Sequence, residues 1–398
     1  MTRRKRVVAV FTGNRAEYGL QYPILKAIET HPVLSYRLIV SGAHLDPHFG
    51  RTRAEIRRDG FKIHAEVKIE MIADTRSSTA NAIGTGIVAM SRALGRIRPD
   101  ILVVYADRFE GFAAVVAGTQ MNIPTAHVEG GDVTAGGALD DSVRHAMTKL
   151  AHLHFTTNGE ARRRILRMGE APWRVFNVGF PAIDLISQGS YASPAELERR
   201  YELVRERPVV LFTQHSVTTQ FEQAARQARP CLLAMEDLAR RGVQVFVTYP
   251  NNDAGGRAII SEIEALRSKG VPNLQVHKNL GRYDYHGVLN FIGRVSGGAC
   301  IGNSSSGIKE TPAFQCPAVN IGSRQDGRLR AANVIDTGYT RSGIVAAFER
   351  CLADRTFLRR CRTSPNPYGR GNAGRRIAEV LARVRLDRRI LTKEMTIR

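Results

Sequence analysis

Residues that staple or anchor a chain are scarce in this one. Its 398 residues include five cysteines, Cys231, Cys300, Cys316, Cys351 and Cys361. That number is odd and contains no C-x-x-C pair, which argues against a disulfide framework or a cysteine zinc site and fits a reducing cytoplasm. No stretch approaches the ~18 apolar residues of a membrane span, so a soluble, cytoplasmic protein without a membrane partner is expected. The opening TRRKR followed by VVAVF mimics a signal peptide, but the apolar run ends after five residues at Thr12-Gly13-Asn14-Arg15. It is too short for an h-region and is read as a first strand.

Acidic residues are also in deficit. Lys and Arg number 58 against 37 Asp and Glu, a formal net charge of +21. Such a balance raises nucleic acid as a partner. The basic groups, however, sit on separate segments at Arg3 to Arg6, Arg162 to Arg164, Arg359 to Arg362 and Arg375 to Arg376, without interleaved aromatics. No specific nucleic-acid partner is therefore expected, and a general positive field that draws an anionic small molecule fits the same count.

What is present is a globular chain of about two domains. With 43% hydrophobic and 24% charged residues, disorder is excluded. Apolar β-branched runs alternate with helical patterns, the signature of parallel sheets covered by helices. Candidate strands of a first series are Val7 to Phe11, Leu38 to Val40, Ile101 to Tyr105, Thr125 to Val128 and His152 to Thr156. A second series holds Val209 to Thr213, Val243 to Tyr249, Ala299 to Ile301 and Ala318 to Ile321, with a helix over Phe221 to Arg240. The join falls near Ser187 to Pro194, giving expected domains of 1–186 and 187–371 and a last helix over 372–398. Two doubly wound α/β halves imply a cleft between them, with function in the loops after the strands.

Those loops carry the chemistry. HVEGGDVTAGGALDDSVRH, His127 to His145, places Glu129, Asp132, Asp140 and Asp141 within thirteen residues. It reads as a proton-transfer site, or in part as ordinary helix-face pairs from Asp140 to Arg144 and from Asp141 to His145. GNRAEYG, Gly13 to Gly19, lacks the G-x-G-x-x-G spacing; Arg15 there is either a phosphate ligand or a plain surface arginine. GNSSSGIKE, Gly302 to Glu310, is an anion cradle but fails as a P-loop, since Ile308 follows Gly307. Glu310 is read in a helix first turn, as a dipole partner or an acceptor for a ribose diol. YADRFE, TQHSVTT and IGSRQDGR add Asp107, Arg108, His215 and Arg324. His44 and His48 are four apart but separated by Pro47, and HVE lacks a following P-C-x-x-C, so no metal and no cofactor is expected.

In this order, GNRAEYG, SGAHLDPHFG, YADRFE, HVEGGDVTAGGALDDSVRHAMTKLAHLHF, TQHSVTT, GNSSSGIKE and IGSRQDGR resemble the UDP-N-acetylglucosamine 2-epimerases, especially the hydrolysing branch of sialic-acid biosynthesis. The resemblance implies a GT-B-like fold of two Rossmann-like domains facing a central cleft. It also implies a homo-oligomer, dimer or tetramer, and a UDP-sugar substrate bound mainly on the second domain. Ser304 and Ser305 match phosphate-binding serines, Glu310 the ribose ligand and Arg324 a nucleotide contact; Arg15 and Arg108 match arginines that reach the diphosphate. Asp107, Glu129 and Asp140 match catalytic carboxylates, His215 and His44 active-site histidines, and Asp132 and Arg144 join the substrate-binding set.

The implied reaction turns UDP-N-acetylglucosamine into N-acetylmannosamine and UDP through a 2-acetamidoglucal. Ala106 stands where the family usually has glycine, and Asp132 where hydrolysing members commonly have glutamate. These departures keep UDP-diacetylbacillosamine open as the substrate. The non-hydrolysing epimerase, a glycosyltransferase of the same fold and a basic RNA-binding module are the other readings.

Overall fold

In the computed structural model, residues 4–45, 52–69, 76–133, 139–251 and 254–396 are described. Among the described residues, thirteen strands form two parallel sheets. The first contains β1 (Arg6–Thr12), β2 (Leu34–Ser41), β3 (Ile63–Val67), β4 (Ile101–Tyr105), β5 (Thr125–Val128), β6 (Leu153–Thr156) and β7 (Val175–Asn177), in the order β3-β2-β1-β4-β5-β6-β7. The second contains β8 (Val209–Thr213), β9 (Gln244–Thr248), β10 (Leu274–His277), β11 (Gly298–Gly302), β12 (Ala318–Ile321) and β13 (Val334–Thr337), in the order β10-β9-β8-β11-β12-β13. Every pairing is parallel. The sheets are therefore doubly wound, with the strand order reversing between β1 and β4 and again between β8 and β11. Crevices at such reversals are where these sheets bind ligands.

The nine strands anticipated from apolar runs are the nine interior ones. Those read too narrowly gain residues at their ends: Leu38 to Val40 becomes Leu34–Ser41 because Arg37 and Tyr36 break the run without breaking the ladder to β1. The four strands without such a signal, β3, β7, β10 and β13, are the edges of the two sheets. An edge strand is covered less completely, so IHAEV and LQVH alternate with polar residues. The helix anticipated over Phe221 to Arg240 begins at Ala224, because Gln220 has φ −133° and Thr218–Gln223 forms a separate 3-10 turn.

The described residues of Met1–Val133, Leu139–Asp184 and Gly371–Arg398 pack as one compact unit, and Leu185–Arg370 as a second. The C-terminal segment thus belongs to the first. Its helix Ala373–Arg383 lies on the helix Arg15–Thr30, and Ile24, Ile28, Ile377 and Leu381 share one buried cluster. Contact is close at Gly374, where a Cβ would come within 2.4 Å of the Pro23 carbonyl oxygen. Asp184 caps this helix, accepting from the backbone N–H groups of Asn372 (2.7 Å), Ala373 (2.8 Å) and Gly374 (2.8 Å). Those donors have no intrahelical acceptor, so the carboxylate supplies what the helix cannot. Among the described residues no helix is long and apolar enough to cross a membrane, and all five cysteines are buried free thiols.

Replacing Asp184 by alanine strips three buried N–H groups of their acceptor. The expected cost is about 2–3 kcal/mol in urea unfolding, with faster amide exchange concentrated in Ala373–Arg383.

Candidate active site

At the reversal of the first sheet, three loops leave the carboxyl ends of β1, β4 and β5. Two leave on unusual backbone: Ala106 after β4 has φ 52° and Glu129 after β5 has φ 66°. For residues with a Cβ the left-handed region costs roughly 1 kcal/mol or more and persists only where neighbours fix it. Here the Ala106 N–H donates to the Val128 carbonyl (2.9 Å) and the Glu129 N–H to the Phe155 carbonyl (2.8 Å). His127 completes the clamp, with Nε2 2.6 Å from the Ala106 carbonyl oxygen and Nδ1 3.1 Å from the Thr148 hydroxyl. Nε2 must therefore carry the proton and Nδ1 accept. Burial lowers the pKa of this ring to about 3, so it stays neutral.

Gly131 follows with φ 74°, and a Cβ there would sit 2.4 Å from the Ala161 carbonyl oxygen, which explains a glycine at that position.

Arg144, on the helix Leu139–Leu150, organises the carboxylates. It is 2% exposed, and its guanidinium donates to the Asp132 carbonyl oxygen (2.8 Å), to Asp141 (2.6 Å) and to Asp107. The helical partner is thus Asp141 at i−3, and the third ligand arrives from the loop after β4. Asp140 lies half-buried in the first turn of the same helix. Glu129 is 9% exposed and lies beside the buried Tyr105 phenol, whose pKa rises through burial and then through the charge of that carboxylate.

Arg108 has its Nε 3.7 Å from Glu110. His44, on the 3-10 turn Gly42–His44, is buried with Nε2 3.2 Å from the Thr12 hydroxyl, and burial lowers its pKa to about 4. The Arg15 backbone opens the helix after Asn14, which caps it by accepting from Glu17 N. The Arg15 side chain, like His48 and the glycines at 136 and 137, lies outside the described residues.

Two buried acids in the first turns of the helices Arg15–Thr30 and Phe109–Gln120, which follow these loops, carried no sequence signal although both sit inside quoted motifs. Glu17 accepts from the Gly13 N–H (2.9 Å) and from Gln21 (3.0 Å), and burial followed by the nearby Glu110 raises its pKa to about 8. Glu110 is buried and raised as well. Both carboxyls flank Gly13, since a Cβ there would meet Glu17 Oε2 and the Glu110 Cβ at 3.4 Å each.

In the second unit the loops after β8 and β11 are tied together by Asn303. Its Oδ1 accepts from the His215 N–H (2.7 Å), and its Nδ2 donates to the His215 carbonyl (2.8 Å). The Asn251 N–H donates to His215 Nδ1 (3.0 Å), which leaves the proton of the neutral ring on Nε2. Gly302, at φ 129°, brings a position where a Cβ would be 2.0 Å from the Thr213 carbonyl oxygen. Ser304 and Ser305 are half-exposed in the loop that follows. Arg324 reaches it from the turn after β12, donating to the Asn303 carbonyl (3.1 Å).

Glu310 is placed differently from the sequence reading. The helix Ser306–Lys309 has only four residues, so Glu310 closes it instead of standing in its first turn. There it is buried and accepts from the Ser306 hydroxyl (2.9 Å) and His286 Nε2 (3.0 Å), contacts that hold its carboxyl below the usual range despite burial. His286 carried no sequence signal, being a lone histidine within an apolar helical pattern.

Residues 26–382 match the family model described as UDP-N-acetylglucosamine 2-epimerase. The chain belongs to that family. A relative from Campylobacter jejuni, named GDP/UDP-N,N'-diacetylbacillosamine 2-epimerase (hydrolyzing), is 33% identical over 84% of each chain. One from Neisseria meningitidis, named UDP-N-acetylglucosamine 2-epimerase, is 31% identical over 88% of each. Among solved structures, a UDP-N-acetylglucosamine 2-epimerase from Neisseria meningitidis bound to UDP-N-acetylglucosamine superposes with a TM-score of 0.80, covering 94% of this chain and 99% of that one at 18% identity. The fold of this family member is accordingly GT-B-like.

Two substitutions test the electrostatics. Arg144→Met leaves two carboxylates and a carbonyl without their buried cation, and the expected loss in urea unfolding is about 3–5 kcal/mol. For Glu17, the unfolded carboxyl ionises near pH 4.5 while the folded one keeps its proton to about pH 8. Its contribution is thus complete below pH 4.5 and declines as pH rises, by about 1.4 kcal/mol per pH unit across that window. Glu17→Gln should remove this contribution, read as the difference between variant and parent urea midpoints, which is expected to change steadily from pH 5 to pH 8.

Proposed function

We propose that this protein is a hydrolysing 2-epimerase of a UDP-2-acetamido sugar, converting UDP-N-acetylglucosamine or its diacetylated relative into the free 2-epimer and UDP. The observation that carries the reading is the convergence of Asp107, Glu129 and the Arg144-bound segment at the ends of adjacent strands β4 and β5. Elimination needs a base at C2 while the C1–O bond to the diphosphate breaks, giving a 2-acetamidoglucal and UDP. Hydration then puts a hydroxyl on C1 and a proton on the opposite face of C2. Paired acids suit both steps, because one must accept a proton and another deliver one.

Asp107 and Glu129 are the proton-transfer pair in this scheme, and Asp140 is the acid/base for hydration. His215 clamps the diphosphate through its Nε2–H, with Arg15, Arg108, Ser304, Ser305 and Arg324 as phosphate or nucleotide ligands and Glu310 on the ribose. Arg144 and Asp132 shape the sugar end, and His44 packs behind it. The name of the Campylobacter relative supports hydrolysis and favours N,N'-diacetylbacillosamine, carried on GDP or UDP, as the sugar; that of the Neisseria relative supports UDP-N-acetylglucosamine.

Incubation with each UDP sugar in D2O, without an acceptor, tests the reading by NMR. Release of UDP with a free 2-epimer deuterated at C2 is expected from one of them. A UDP-linked epimer would mean the non-hydrolysing reaction, and no turnover of either sugar sinks the proposal. Asp107→Asn and Glu129→Gln should each lower turnover by about 100-fold or more while UDP still binds.

A further inference from the structure

Away from the carboxylates, the first unit carries a groove of about 510 Å3 along the outer edge of its sheet. Its floor is apolar, built from Trp173, Phe176, Val380 and Val384, and its rim carries Arg376, Arg383, Arg385 and Arg389. Edge strand β7 forms one wall and the returning C-terminal segment the other. Because β6 separates β7 from β5, the groove stands about two strand spacings, or ~10 Å, from the strand that precedes Glu129.

Four guanidinium groups facing an apolar floor are not balanced by the acids present. Two carboxylates, Glu379 and Asp387, line the groove against the four guanidinium groups; Glu379 lies 3.9 Å from Arg375, which does not line it, and Asp387 is engaged as a helix cap, accepting from the Arg389 N–H at 3.0 Å. Among the described residues Arg383 and Arg385 form no ion pair. Trp173 is 37% exposed, with the guanidinium carbons of Arg174 and Arg389 lying 4.2 Å and 4.8 Å from its ring centroid. Arg174 is itself buried and fixed by four backbone carbonyls, those of His152, Arg389, Ile390 and Thr392. The ring and the segment bearing Arg389 are therefore held in place before any ligand arrives. The volume lies within the range of small-ligand sites.

We propose that this groove is a second binding site, for an anion built on a planar ring, of the nucleoside monophosphate class. The ring is buried on the aromatic and valine floor, and the phosphate takes the forked donors of Arg383, Arg385 and Arg389. This assignment is independent of which sugar the carboxylate site turns over. The arginines are exposed, so the affinity falls with added salt.

Trp173 is the sole tryptophan of the chain, which makes intrinsic fluorescence a reporter of this groove. AMP and UMP are titrated with excitation at the red edge of the indole band, alongside inorganic phosphate. A saturable change with at least one nucleotide and none with phosphate is expected. It should weaken roughly tenfold or more in an Arg383→Glu/Arg385→Glu variant whose circular dichroism and UDP-sugar turnover match the parent.

The proposal is overturned if neither nucleotide gives a saturable change, if phosphate alone reproduces it, or if the double variant responds like the parent. It also fails if the fluorescence follows protein concentration without ligand, since a second copy of the chain would then cover the groove.

Discussion

Arg144 is the constraint from which the first site follows. A guanidinium stays charged at any pH a protein survives, and removing it from water is costly unless its donors are met by well-placed acceptors. At 2% exposure it draws on three segments: the loop after β4 through Asp107, the loop after β5 through the Asp132 carbonyl, and its own helix through Asp141. None of these acceptors can move without stranding a buried charge. That requirement fixes the loops more firmly than any sum of weak contacts, and it makes the left-handed backbones of Ala106 and Glu129 tolerable.

The second unit meets a similar demand around a neutral amide. Asn303 joins the β8 and β11 loops through both ends of its amide, and Arg324 and Gln325 both donate to its carbonyl. Its acids are handled locally, Glu310 being held by a serine and a histidine from its own unit. In the proposed reaction this division is sensible. A proton-transfer centre needs carboxylates whose positions do not relax, whereas a phosphate cradle needs donors and gains nothing from buried acids.

The interior strands were legible because burial on both faces forces unbroken apolar runs, as in ILVVY and VVLFT. Edge strands were not, since one flank has no neighbour and polar residues return. Asp107, Glu129 and the Gly302–Glu310 loop were legible because loops after parallel strands are where such side chains converge. Two features were beyond the spacing rules. The helix spacing pairs Arg144 with Asp140 and Asp141 with His145, whereas the fold gives Arg144 the Asp141 carboxylate and brings Asp107 within its reach. The placement of Glu310 depended on a helix four residues long, which no periodicity can announce. Glu17 was visible as a letter and invisible as chemistry, because its raised pKa comes from burial beside Glu110, residues almost a hundred positions apart.

The charge distribution shows why a chain with net charge +21 still builds an acidic site. From Asp100 to Asp141 there are seven acids and one arginine, whereas residues 371–396 hold seven basic and three acidic residues. Charge is segregated by segment, and surface pairs such as Lys26–Glu29 and Arg240–Glu236 contribute little to where anything sits. In the proposed reaction a sugar diphosphate meets a broadly positive protein, which speeds encounter, but the acidic stretch repels it at close range. On the proposed reaction the phosphates must therefore be held by residues outside that stretch, apart from its single arginine, Arg108. The acids are left to face the uncharged sugar ring, the part of the substrate whose C–H bond has to be broken.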